Sequence, residues 1–147
     1  MTTIAYRYGV LAADSRVTSG GGSHIELGSY KKLHRLTDGS LFAWSGGVAD
    51  GLKLLAYLED KDDVEPTWSE GTTGILIDPK GRIWVYEGSN VWLQQHGSYG
   101  AWGSGREYAY GAMRRDWTCG AAAAVRVAKF FDSGTGGRIQ TLTLEKR

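Results

Sequence analysis

Thr2 stands directly behind Met1, and a threonine in that place suits one kind of chemistry. Its hydroxyl is a poor nucleophile until a base takes the proton. If Met1 is removed, the base belongs to the same residue. A free α-amine has a reference pKa of about 7.7–8.0, so near neutral pH it accepts the proton directly or through a water. Thr is small, so an aminopeptidase meets no steric obstacle in removing Met1. With Met1 retained, the Thr2 nitrogen is tied up in a peptide bond and this route is closed. Taken alone, Thr2 reads as an ordinary β-forming residue at a chain start.

Three further groups could serve such a nucleophile. A lysine beside it lowers the pKa of its neighbours and can hydrogen-bond the hydroxyl. A buried ammonium needs a counter-charge, and Asp14 could supply one. Lys31 and Lys32 are adjacent, and adjacent side chains on a strand face opposite ways, so only one of them can face Thr2. Singly, Lys32 reads as a surface charge and Asp14 as a turn cap. Gly46 and Gly47 follow a strand-like run and precede a helical one. Backbone N–H groups at a helix start are ready donors for developing negative charge, and Ser45 could cap that helix. A plain glycine turn accounts for the same residues, and helix-dipole stabilisation accounts for Asp50.

The elements that must hold these residues are legible in outline. Thr2 to Tyr6 and Val10 to Ala13 read as short strands. Gly20 to Gly22 reads as a loop. Leu33 to Leu36 and Leu41 to Trp44 suggest two more strands around a Thr37-Asp38-Gly39 turn. Leu52, Leu55, Ala56 and Glu59 recur at helical spacing, which predicts a helix over Ala49–Glu59. Asp60 to Glu70 reads as a loop. Thr72–Ile77 and Arg82–Tyr86 form a hairpin turning at residues 78–81. Helices follow over Arg106–Arg115 and Ala121–Phe130, and a last strand runs from Ile139 to Leu144. Helices over largely antiparallel sheets would bury these apolar faces.

Composition narrows the function. The chain has 147 residues, the length of one domain. Its net charge is +1, so no unipolar field recruits nucleic acid or a membrane surface. No run approaches the 18 apolar residues of a membrane span, and no signal peptide is visible. Cys119 is the only cysteine, which excludes an internal disulfide and suits a reducing compartment such as the cytoplasm. His24, His34 and His96 lack metal-ligand spacing. No metal and no cofactor is expected.

Five segments carry a family resemblance: Thr2-Thr3-Ile4, Ala13-Asp14-Ser15-Arg16, Lys31-Lys32-Leu33, Ser45-Gly46-Gly47-Val48-Ala49-Asp50 and Gly103-Ser104-Gly105. A sixth, Asp132 to Gly137, is weaker in wording but correctly placed. In order and spacing they resemble β-type proteasome subunits, most of all the bacterial ring protease that works with an ATPase unfoldase, within the N-terminal nucleophile hydrolases. The resemblance implies a single domain over residues 1–147. Its fold would be α+β, a four-layer αββα sandwich with one helical layer reduced because the missing length falls after Leu58. It implies a threonine peptidase with Thr2 as nucleophile, Lys32 as the catalytic lysine and Asp14 as its partner. Gly46 becomes the oxyanion donor, and Ser104, Asp132 and Thr135 orient the amine. Thr135 stands where the family usually has serine, and Ser133 is an alternative hydroxyl. Trp44 falls where the family lines a substrate pocket, beside Gly47, and core packing explains it equally. The implied partners are a peptide or unfolded protein substrate, further copies of the chain in a ring-like homo-oligomer, and an ATPase unfoldase. A non-catalytic structural relative and a small-molecule amidohydrolase are the competing classes.

Overall fold

The structure is a computed structural model that describes residues 2–17, 30–60, 71–87 and 92–145. The expected Gly20–Gly22 loop, the loop residues 61–70 and Met1 lie outside these. The described residues form nine strands and three helices in two compact units, one built from the chain up to Leu33 and from Gly97–Thr143, the other chiefly from His34–His96. The α+β class with antiparallel sheets is the one expected.

The first unit holds β1 (Thr3–Arg7), β2 (Val10–Ala13), β8 (Tyr99–Gly103) and β9 (Gln140–Thr143), in the order β8-β1-β2-β9. Every pairing is antiparallel. Helices α2 (Arg106–Arg115) and α3 (Ala121–Phe131) pack on one face. Alternation decides which residues meet them. Ala5, Ala12 and Ala101 face Ala109, Met113, Ala121, Ala124, Val125 and Ala128. Alanine on both sides of this layer lets helix and sheet approach closely. Ile4 and Leu11, of opposite parity, are also fully buried. Arg7 shares the helix-side parity. Its guanidinium donates to the carbonyls of Met113, Asp116 and Cys119, satisfying acceptors at the end of α2 and in the turn to α3.

The second unit holds β3 (Leu33–Arg35), β4 (Leu41–Ser45), β5 (Thr73–Ile77), β6 (Ile83–Tyr86) and β7 (Trp92–Gln95), in sequence order across the sheet. Helix α1 (Val48–Asp60) buries Leu54 against Leu36, Phe42 and Trp44. Among the described residues two helices cover the first sheet and one packs on the second, and the stretch after Leu58 to which the reduced layer was assigned lies largely outside them. The hairpin turn before β6 is fastened by Asp78. Its carboxylate accepts from the N–H groups of Lys80 and Arg82, the Arg82 side chain and Trp84 Nε1.

Two strands escaped the sequence analysis. β7 reads Trp-Leu-Gln-Gln without clean alternation, and it is mostly exposed. β8 reads Tyr-Gly-Ala-Trp-Gly, with two residues that weaken strands. Gly103 nevertheless has to be glycine. Its φ is +94°, and a Cβ there would collide with the Thr2 carbonyl. Among the described residues no helix is long and apolar enough to cross a membrane.

Candidate active site

β1 and β2 form a hairpin, and that pairing puts Asp14 beside the start of β1. The Asp14 N–H donates to Thr3 O at 3.3 Å, and the Thr3 N–H returns to Asp14 Oδ1 at 3.1 Å. Asp14 is fully buried. Its Oδ1 also accepts from Lys32 Nζ at 2.8 Å. Its Oδ2 accepts from Gly136 N at 3.0 Å and Arg16 N at 3.3 Å. These donors leave the carboxylate no rotational freedom.

Lys32 Nζ also donates to Thr2 Oγ1 at 2.9 Å. Lys32 is buried, while neighbouring Lys31 is exposed. Burial pushes the Lys32 ammonium below the ordinary lysine value. The charge and hydrogen bond of Asp14 oppose that shift, and the Arg16 charge adds to it. Thr2, Lys32 and Asp14 are therefore one connected chain of contacts in the first unit.

A second cluster adjoins Thr2 from the helix side. The N–H of Ser104, the first residue past β8, donates to Thr2 O at 2.8 Å. Ser104 Oγ reaches Thr2 O at 3.4 Å and donates to Asp132 Oδ2 at 2.6 Å. Thr135 Oγ1 donates to the same oxygen at 2.6 Å. Burial would raise the Asp132 pKa, but the bonds from Ser104, Thr135 and Gly134 outweigh it and hold the carboxyl below its usual range. Thr135, with 1% exposure, is the hydroxyl joined to this cluster. Ser133 contributes its carbonyl, which accepts from the Arg16 guanidinium.

Thr3 was not anticipated. Its hydroxyl lies 2.6 Å from Thr135 Oγ1. Because Thr135 gives its proton to Asp132, Thr3 is the donor in that pair. Thr3 thus touches both clusters, through its backbone to Asp14 and its side chain to Thr135. The signal was strand alternation: if Thr2 faces Lys32, Thr3 faces the helices. Gly105 is the matching small residue, since a Cβ there would strike Thr3 Oγ1.

Gly46, Gly47 and Trp44 belong to the second unit. Gly46 has φ +112°, and a Cβ would stand 2.7 Å from Thr72 Cα. Local sterics alone therefore require glycine. The Gly47 N–H donates to Thr72 Oγ1 at 3.2 Å, and that hydroxyl donates to Asp50 Oδ2 at 3.3 Å. Ser45 ends β4, and the first intrahelical bond of α1 goes from Gly51 N to Gly47 O. The cap position is thus Gly47, two residues beyond Ser45, because the strand runs on to Ser45. Trp44 is 5% exposed. Its ring stacks on His34 with centroids 5.4 Å apart and lies so close to Gly51 that a Cβ there would overlap it. Its observed surroundings are the core of this unit. Among the described residues no group of three His, Cys, Asp or Glu side chains could hold a metal ion.

Residues 2–63 match the family model for the proteasome subunit. No curated protein sequence matches the chain. Among solved structures, HslV from Trypanosoma brucei superposes with a TM-score of 0.74 at 21% identity, covering 99% of this chain and all of that one. The Thiobacillus denitrificans protein BPH, solved in complex with epoxomicin, gives a TM-score of 0.70 at 19% identity over 99% of both chains. The fold over nearly the whole chain is therefore that of these proteins. By sequence the likeness to the proteasome subunit covers residues 2–63, and over the rest of the chain it is a likeness of fold.

Proposed function

We propose that this chain is a threonine peptidase acting through Thr2 once Met1 is removed. The match of residues 2–63 to the proteasome-subunit model and the fold shared with HslV support a protease-type function in general. The observation that carries the finer assignment is the buried Lys32 Nζ, 2.9 Å from Thr2 Oγ1 and 2.8 Å from Asp14. A lysine desolvated in this way needs a reason to be buried, and stabilising a nucleophile is one.

Thr2 Oγ attacks the substrate carbonyl as its proton passes to the freed α-amine. Lys32 donates to Oγ, so it stabilises charge developing there and leaves the hydroxyl proton for the amine. The Gly46 N–H serves as the oxyanion donor, a role worth about 2.7–4 kcal/mol where such a donor has been removed. The amine then protonates the departing nitrogen, and water releases the acyl ester. Ser104 and Thr135 hold Asp132, and Ser104 also holds the Thr2 carbonyl. Gly47 and Trp44 are assigned to the substrate side. In this reading the two units work as one N-terminal nucleophile hydrolase domain.

Substrates are peptides or unfolded proteins, and the working form is a ring-like homo-oligomer in the cytoplasm, served by an ATPase unfoldase. Support for assembly comes from large apolar side chains left at the surface: Phe130 is 83% exposed, Trp117 77% and Phe131 60%.

The test uses an epoxyketone such as epoxomicin, which reacts with a hydroxyl and an amine on the same residue. The processed protein should gain one inhibitor, mapped to Thr2, and lose peptidase activity. Retained Met1, or Thr2→Ala, should abolish both. A Thr2→Ala protein that hydrolyses peptides at the wild-type rate, free of contaminating protease, would end the proposal.

A further inference from the structure

Lys32 does not sit in a strand. Residues 30–32 precede β3, and sheet ladders do not fix them. Yet Lys32 Nζ has to meet both Thr2 Oγ1 and Asp14 Oδ1. The backbone that carries it is held instead by one backbone bond, from Tyr30 N to Ser15 O at 3.2 Å, and by one side chain from the far edge of the sheet. Gln140 opens β9 and pairs with Ala13, which puts its side chain beside Asp14. Its Nε2 donates to Asp14 O at 3.1 Å and to Tyr30 O at 2.8 Å. Its Oε1 accepts from Lys32 N at 3.0 Å and from Leu33 N at 3.4 Å. A glutamine amide has two donor hydrogens and two acceptor lone pairs, and all four are used. The amide orientation is fixed by its partners, with two carbonyls on one side and two N–H groups on the other.

We propose that Gln140 is a positioning residue for Lys32: its amide ties the backbone leaving β2 at Asp14 to the backbone entering β3, and so holds Lys32 Nζ on Thr2 Oγ1. No other residue type does this at that place. Leucine would leave four backbone groups without this partner. Glutamate would set a carboxylate oxygen against two carbonyls. Asparagine is one methylene short. The backbone tie stands independently of any activity, and its catalytic consequence rests on the peptidase assignment above.

The test combines amide hydrogen exchange with steady-state kinetics on the processed protein. In Gln140→Leu, the Lys32 and Leu33 amides should exchange at least about tenfold faster, while β1 and α3 keep their protection. The kcat for a fluorogenic peptide should fall about 10–100-fold with KM little changed, the signature of a misplaced catalytic group. Gln140→Glu is the second variant, and it carries the test if the leucine protein does not fold. It keeps the Oε1 acceptor and loses the donors. Protonating the carboxyl restores one donor, so the ratio of its kcat to the wild-type kcat should rise as pH is lowered. A purely structural glutamine would give a ratio independent of pH. Unchanged exchange at Lys32 and Leu33 overturns the proposal, and so does faster exchange with kcat intact. A wild-type protein without peptidase activity whose variants still show the exchange change would refute the peptidase assignment and uphold the backbone tie.

Discussion

Replacing Asp14 by asparagine isolates the charge of the Asp14–Lys32 pair at nearly constant shape. Asp14 is 0% exposed, and its ion pair with Lys32 spans 2.8 Å. Removing one partner of a buried pair costs about 3–5 kcal/mol, because the other charge is left buried and uncompensated. The asparagine NH2 deepens the loss. Whichever way the amide turns, it faces donors: Gly136 N and Arg16 N on one side, Thr3 N and Lys32 Nζ on the other. Set against a total stability of about 5–15 kcal/mol, the variant should fold with a much lower denaturant midpoint. Lys32 changes as well. Burial already lowers its pKa and Asp14 opposes that shift, so without the carboxylate the pKa falls further. Nζ then carries less positive charge and loses the contact that fixes its rotamer. If Lys32 stabilises the developing charge on Thr2 Oγ, kcat should drop about 10²–10³-fold, the scale seen when one preorganised donor is removed. The assay is peptide turnover by the folded variant at low denaturant, alongside urea unfolding of the same sample. A variant within about threefold of wild-type kcat and within about 0.5 kcal/mol of its stability, the range of an ordinary surface substitution, would refute the reasoning.

Thr135→Val keeps the shape of a fully enclosed side chain but leaves Thr3 Oγ1 without its acceptor and removes one donor to Asp132; urea unfolding should show a loss of about 1–3 kcal/mol, and Thr135→Ser should recover most of it. Gly46→Ala forces a Cβ toward Thr72 at a φ that L-residues rarely adopt, so denaturation should show a cost of about 1–3 kcal/mol, with peptidase activity falling if the Gly46 N–H is the oxyanion donor. The Asp132 carboxyl titrates below its usual range in the folded state. Its contribution to stability is therefore complete above the unfolded value, about 3.9, and is lost as pH falls through the lower folded-state pKa. Asp132→Asn should flatten the acid limb of a stability–pH profile below about pH 4, and an unchanged limb would show that Asp132 does not supply it.

The local elements were legible because their signals are local. The apolar spacing of Leu52, Leu55 and Ala56 placed α1 to within one residue at each end, and the Asp78–Gly81 turn marked its hairpin. The family motifs named Thr2, Asp14, Lys32, Ser104, Asp132 and Thr135, residues scattered over more than 130 positions that the structure gathers around one strand start. β7 and β8 were not legible, since their residues have weak strand preference and owe their conformation to the strands beside them. Trp44 was open between substrate wall and core, and only packing against His34 and Gly51 shows which surroundings its ring has.

What the sequence supplied by itself is thus a candidate chemistry, a threonine directly behind Met1 with a lysine and an aspartate that could serve it, and elements of the right type and order. Tertiary structure decided which hydroxyl joins Asp132, that Thr3 links the two clusters, and that Gln140 holds the Lys32 backbone. The physical reason is range. Propensity and periodicity act over a few neighbours along the chain. The bonds from Thr3 to Thr135 and from Gln140 to Asp14, by contrast, span 132 and 126 residues, and they exist only once the sheet has set its register.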